Sequence, residues 1–200
     1  PQLGPALGVR TALDRLGIRR REVAETLRHR CAESLALVIL DNSERILDTM
    51  QAETGKVRAD ASNEPAYLTD LINFYGSRAH KFLGEDKVRP HNILAASHRL
   101  RVQYRPHPVV GLISPWNFPL ILSFGDAIPA LMAGCAVVMK PSEVTPLGVH
   151  EIVKAWREEI GGPDILDTVT GTAATAESLI DHSDFIGFTG SDTSACNGKL

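Results

Sequence analysis

Cysteine is scarce in this chain, and its three copies lie far apart, at Cys31, Cys135 and Cys196. An odd count at such spacing supports neither a disulfide framework nor a zinc ribbon. The seven histidines form no ligand pair at helical or ribbon spacing. No apolar run approaches the roughly 20 residues a helix needs to cross a bilayer. The N-terminal stretch alternates charged and apolar groups and has no secretory core. With a formal net charge of −3, no overall positive field draws in nucleic acid. The basic run Arg19, Arg20, Arg21 is followed at once by Glu22 and Glu25 and reads as a solvated helix start. Repeats and low-complexity tracts are absent too. The expectation is a chain with no metal site, no nucleic-acid partner and no membrane span, working in a reducing cytoplasm.

What is present suits a packed core: 44% hydrophobic and 22% charged residues over 200 positions, enough for one domain or part of a larger one. Val23, Leu27, Cys31, Leu35 and Ile39 recur every four residues and mark one helix face. Asp41, Asn42 and Ser43 break that run and offer capping oxygens to a next helix. Ile46, Leu47 and Met50 give that helix its apolar side, and Gly55 is a plausible stop. A third helix is expected from about Pro65 to Leu83, since proline suits a first turn. Its buried stripe would be Leu68, Leu71, Ile72, Tyr75, Ala79 and Phe82. The period then drops to two: Leu100, Val102 and Tyr104 alternate with Arg99, Arg101, Gln103 and Arg105. That is a half-exposed strand whose arginine face guards an edge or meets another subunit.

From about residue 108 the pattern changes again. Short unalternated apolar runs cover about 109–113, 135–140, 166–170 and 185–188. Helical stretches separate them near 120–133, 147–160 and 173–181. Strands buried on both faces with helices between them imply an α/β, doubly wound parallel sheet. The chain thus divides into a helical lead-in with an oligomerisation-type strand, residues 1–107, and a sheet region, residues 108–200.

Three loops follow three of these strands. Gly111 to Pro119 reads Gly-Leu-Ile-Ser-Pro-Trp-Asn-Phe-Pro, with two prolines bracing a turn that presents Trp116 and Asn117. An amide fixed there can donate to an oxygen that becomes negative during reaction; equally, Asn117 can simply close a turn. Lys140-Pro-Ser-Glu-Val-Thr-Pro146 puts a donor, Lys140, three residues from an acceptor, Glu143, which suits ribose hydroxyls or phosphate oxygens. A plain surface loop fits that spacing as well. Phe188-Thr-Gly-Ser191 offers Thr189 and Ser191 to a phosphate if a helix begins there. Strand carboxyl ends are where open parallel sheets bind ligands.

Taken together and in this order, the three loops resemble the aldehyde dehydrogenase superfamily. The resemblance is densest from Gly111 to Thr145, includes Glu53-Thr-Gly-Lys56 and Phe188 to Ser191, and runs over about residues 20–191. It implies an incomplete doubly wound sheet carrying part of a dinucleotide-binding domain, in a parent that forms a homodimer or tetramer. It also implies NAD(P)-dependent oxidation of an aldehyde to a carboxylic acid: a cysteine attacks the aldehyde, hydride passes to the nicotinamide, and a glutamate activates water. By that resemblance Asn117 stabilises the oxyanion, Lys140 and Glu143 bind the adenosine ribose, Ser191 lies near the pyrophosphate, and Ser114, Pro115 and Trp116 line the cofactor groove. A carboxylate at the ribose repels a 2′-phosphate, so NAD is expected over NADP.

The chain departs from the family in three places. Gly171-Thr-Ala-Ala-Thr-Ala-Glu177 has alanine where the family often has glycine, which would narrow the space for cofactor or for helix packing. Cys135 stands where asparagine is frequent and reads as a small buried apolar residue. The family's nucleophile and base lie dozens of residues beyond Ser191, so the expectation is a chain inactive alone and prone to associate through an unpaired sheet edge. Two other readings stay open: a non-catalytic relic or nucleotide-binding protein, and a relative that handles acyl phosphates or CoA esters.

Overall fold

The four unalternated apolar runs do form one parallel sheet. The computed structural model describes residues 34–94 and 96–191. After helical residues 34–41 come α1 (Ser43–Thr54), α2 (Arg58–Phe82), β1 (Asp86–Val88), β2 (Leu100–Val102), β3 (Val109–Ile113) and α3 (Pro119–Ala133). Then follow β4 (Ala136–Lys140), α4 (Leu147–Glu158), β5 (Leu166–Thr168), α5 (Ala173–Asp181) and β6 (Phe185–Phe188). The sheet order is β5-β4-β3-β6, parallel throughout, with Val109 opposite Ala136 and Val110 opposite Phe185. The chain steps outward from β3 to β5, then returns to the far side of β3, so the strand order reverses there.

Alternation along each strand decides which helix covers which face. Val110, Leu112, Val137, Met139 and Leu166 join a core with Leu120, Phe124 and Ile128 of α3 and Ile152 and Trp156 of α4. Val109, Ala136 and Val138 point to the opposite face and pack with Val169, just after β5, and with Leu179 of α5. Burying a side chain such as Phe124, which has no exposed surface, contributes about 1.5–3 kcal/mol. Near-continuous apolar strands are therefore needed: neither face of β3 or β4 reaches water.

The lead-in helices belong to the first of these cores. Leu35, Ile39, Ile46, Met50, Leu68 and Ile72 are buried with Val110 and Val137, so the change of pattern at residue 107 leaves no gap in the packing. Gly55 ends α1 with φ 69°, a left-handed turn that glycine takes without strain. Several expectations need correcting. Asn42 makes no cap; its amide donates to the Val38 carbonyl (3.0 Å) and to Glu159 (2.7 Å), tying the lead-in to the end of α4. The third helix begins at Arg58, not near Pro65, which lies inside α2. Proline there removes one N–H from the helical ladder, and it is buried on the same helix as Ala61, Glu64 and Leu68. Phe82, expected in the buried stripe, is 52% exposed and packs on Phe74 and Tyr75.

The alternating segment near residue 100 is shorter and more open than its pattern suggests. β2 pairs antiparallel with β1, and both faces of both strands are exposed. The arginine side is ionically engaged: Arg101 pairs with Glu85, and Gln103 donates to the same carboxylate. Residues Val23, Leu27 and Cys31 of the first helix expectation lie outside the described residues.

Gly111 lies where β3 comes close to α5, β6 and the turn between them. A β-carbon there would sit 2.6 Å from Ser183 Oγ, 2.7 Å from Ile186 Cδ1 and 2.9 Å from Leu179 Cγ. Gly111→Ala is expected to destabilise the chain by about 1–3 kcal/mol. Gly125→Ala, at a helical position with nothing within 4 Å, should stabilise it by up to about 1 kcal/mol. Urea unfolding midpoints check the opposite signs.

Candidate cofactor groove

The carboxyl ends of β3, β4 and β6 open onto one groove of about 470 Å³ beside α5. It lies where the strand order reverses, the point at which open parallel sheets leave a crevice between diverging loops. The sheet brings together Ser114, Pro115 and Trp116 after β3, Lys140 and Glu143 after β4, and Ser191 after β6. All six were anticipated from sequence. Ala173, Ala176, Glu177 and Ile180 of α5 also line it; the segment Gly171 to Glu177 was expected to bear on the cofactor space, whereas Ile180 was not anticipated. Whether a helix starts beyond Ser191 lies outside the described residues.

Lys140 is the buried charge of this groove, with 4% of its surface exposed. Alternation along β4 (Ala136, Val138, Lys140) sends its side chain to the α5 face, away from the main core. Its Nζ donates to the Pro141 carbonyl at 3.1 Å and lies 3.5 Å from Glu143 Oε2. Burial pushes the ammonium below the ordinary lysine value, and Glu143 opposes that shift. Glu143 itself is exposed, so its carboxylate is open to a ligand. A donor and an acceptor 3.5 Å apart at one rim can chelate a vicinal diol.

The turn after β3 is held from several sides. Ser114 is buried, with its hydroxyl 2.5 Å from that of Ser123, so this serine braces α3 and offers the groove chiefly its backbone. Thr145 Oγ1 donates to the Trp116 carbonyl at 3.3 Å, linking the loop after β4 to the turn. Trp116 is 59% exposed at the groove. Asn117 is exposed and stands next to the lining, outside the groove's wall.

This geometry has relatives. A sequence profile described as the aldehyde dehydrogenase family matches residues 11–197. The chain belongs to the aldehyde dehydrogenase family. It is 37% identical over 172 residues to the Mycobacterium tuberculosis protein named a succinate-semialdehyde dehydrogenase (NADP+) 2, covering 82% of this chain and 31% of that protein. Among solved structures, PutA of Anabaena variabilis, described as an aldehyde dehydrogenase, aligns with a TM-score of 0.79 at 31% identity, over 96% of this chain and 40% of its own. PnpE, solved with nicotinamide adenine dinucleotide, aligns with a TM-score of 0.81 at 31% identity, over 95% of this chain and 39% of its own. The chain spans well under half the length of each.

Within this aldehyde dehydrogenase scaffold, sequence reasoning missed the residues that hold the loops. Glu64 has no exposed surface, yet its Oε2 accepts from the backbone N–H of Leu120 (2.9 Å) and Ile121 (3.2 Å). Its other oxygen takes Lys56 Nζ at 2.6 Å. Pro119, at the first position of α3, has no N–H, and Leu122 N bonds the Phe118 carbonyl at 3.0 Å. The open end of α3 is thereby satisfied without a local cap. Glu53 does the same for α4, accepting from Leu147 N (2.8 Å) and Gly148 N (3.1 Å). The available signal was Glu53-Thr-Gly-Lys56, visible as a family feature with no role attached.

The alanine-rich turn also finds its place. Gly171 keeps the unusual backbone, φ 147°, and a β-carbon there would lie 2.1 Å from Thr175 Oγ1. The alanines that follow are in α5, where two of them form groove wall.

The lowered lysine sets a pH signature. In the window just below the ordinary 10.5, the unfolded chain binds more protons at this site than the folded one, so stability must rise with pH there. The stability of the native chain relative to Lys140→Met should therefore increase as pH is raised toward 10.5. Paired urea titrations across the alkaline range check the slope, which is absent if Lys140 keeps its ordinary value when folded.

Proposed function

We propose that this chain carries the NAD-holding and oxyanion-stabilising part of an enzyme that oxidises an aldehyde to a carboxylic acid. The observation that carries the reading is the Lys140–Glu143 pair at the groove. The groove fits a dinucleotide: Lys140 can donate to one ribose hydroxyl, Glu143 can accept from its neighbour, and Ala173 and Ala176 keep the α5 wall low. Bound NAD would supply the acceptor for the aldehyde hydrogen.

The chain's own residues then do three things. Glu143 and Lys140 hold the adenosine end. Ser114, Pro115 and Trp116 wall the groove through the turn after β3. Asn117, projecting from that same turn, offers its amide to the aldehyde oxygen as it gains negative charge, a contribution of about 3 kcal/mol to the barrier.

NAD is the cofactor we favour. Glu143 and Glu177 both line the groove, against one lysine among the described lining residues. A 2′-phosphate placed there meets two carboxylates. The M. tuberculosis relative is named for NADP+, whereas PnpE was solved with NAD, so the preference rests on this chain's own charges. In a calorimetric titration NAD should bind more tightly than NADP, and Glu143→Gln should narrow the gap. Equal affinities before mutation would remove the basis for the preference.

A covalent step needs a thiolate at the groove. Cys135 is the free cysteine among the described residues, and it precedes β4, at the end of that strand remote from Lys140. Burial pushes its thiol up, which makes it a poor nucleophile. Cys31 and Cys196 lie outside the described residues. The chain by itself is expected to bind nucleotide without turnover, which is also what a relic or pure nucleotide-binding protein would do. NADH fluorescence with a panel of short aliphatic and aromatic aldehydes tests this. Turnover abolished by Cys196→Ala would overturn it and make Cys196 the nucleophile. The β1–β2 ladder, exposed on both faces, supports a homo-oligomeric parent.

A further inference from the structure

Among the described residues, the buried Glu64 and its partly buried partner Lys56 have no place in binding and yet touch the groove's front turn from behind. Glu64 bonds the first two free N–H groups of α3, Leu120 and Ile121. Its partner Lys56 lies over the Phe118 ring, 4.1 Å from the centroid. Phe118 adjoins Asn117, and Trp116 is one residue further on. The pair therefore grips both the residue that closes the turn and the helix that starts from it. The grip comes from α2 and the segment before it, more than 50 positions away in sequence.

We infer that Lys56 and Glu64 are positioning residues for the Trp116–Asn117 turn, setting where the oxyanion amide and the groove wall stand. The inference rests on the reading of the groove as a dinucleotide site. The physical reason is directional. The Glu64 carboxylate fixes the first turn of α3 through two backbone hydrogens at once, which sets the helix's axial position and rotation. Lys56 orients that carboxylate from its other oxygen and at the same time presses on Phe118. Neither side chain lines the groove, so each acts only through the turn. Thr145 holds the turn's other end at Trp116, and Glu53 anchors the helix following Thr145. The loops after β3 and β4 are thus both referenced to the short stretch that contains Glu53 and Lys56.

The chain's two tryptophans make this testable. Trp116 is in the turn, whereas Trp156 is buried in α4 with its indole N–H on the Pro163 carbonyl. The full chain labelled with 5-fluorotryptophan should give one 19F resonance for each. In Glu64→Gln and Lys56→Met the Trp116 resonance should shift or broaden while that of Trp156 stays, and the NAD dissociation constant should rise several-fold. Lys56→Arg should restore the native Trp116 signal. Arg157→Met, which breaks the buried pair with Asp167 beside Trp156, should do the reverse. Should Glu64→Gln not fold, Phe118→Leu carries the test: it removes the ring under Lys56, leaves the buried pair in place, and should move Trp116 alone. An unmoved Trp116 resonance, or both resonances moving together, would overturn the inference. If the native chain binds no NAD, the proposed function fails, and the 19F signals still decide the positioning role.

Discussion

A carboxylate with no exposed surface, Glu64, is the constraint on which the arrangement of this chain depends. Taking such a group out of water costs several kcal/mol, and only good geometry on both oxygens offsets it. Here one oxygen meets two backbone N–H groups and the other meets an ammonium. The helix receives the negative charge its amino end favours, and the sheet's first crossover helix is locked to the lead-in. Glu53 repeats the device on the second crossover helix. α3 and α4, which have no local cap, are thus capped by helices earlier in the chain, and these bonds join the apolar core that the lead-in and the sheet share.

The groove follows from two further constraints. The strand order reverses at β3, so the loops after β3 and β6 diverge and leave a crevice. Strand alternation then delivers Lys140 to the α5 side, where its stem is buried and its head reaches Glu143. A lysine in that position is costly to the fold and useful to a ligand. The groove also lies against α5, which contributes two alanines, Glu177 and Ile180 to its wall. Membership of the aldehyde dehydrogenase family is consistent with each of these features.

Much of this was legible in the residues. The strands β3 and β4 could be read because burial on both faces demands unbroken apolar runs, β6 could be read as a short apolar run although Phe185 is exposed, and their loops could be read because glycine and proline punctuate them. The start of α2 could not, because Pro65 looks like a first-turn proline until its burial beside Glu64 is seen. β1 passed unnoticed because three exposed residues, Asp86 to Val88, carry no periodicity. Asn42 looked like a cap because its composition suits one, and its amide is drawn instead to Val38 and Glu159. Local chemistry proposes a role in each case, and a more distant partner takes the group.

The sequence by itself determined the α/β class, the succession of sheet strands and helices, and the loops that carry Trp116, Asn117, Lys140, Glu143 and Ser191. It could do so because hydrophobic period and turn chemistry are local properties. Only the tertiary structure decided that Glu64 and Glu53 cap helices far along the chain, that Gly111 must leave room for α5, and that Ile180 joins the groove wall. Those facts depend on which surfaces meet once the sheet has formed. A buried carboxylate and an exposed one look the same in a sequence, and packing alone sets them apart.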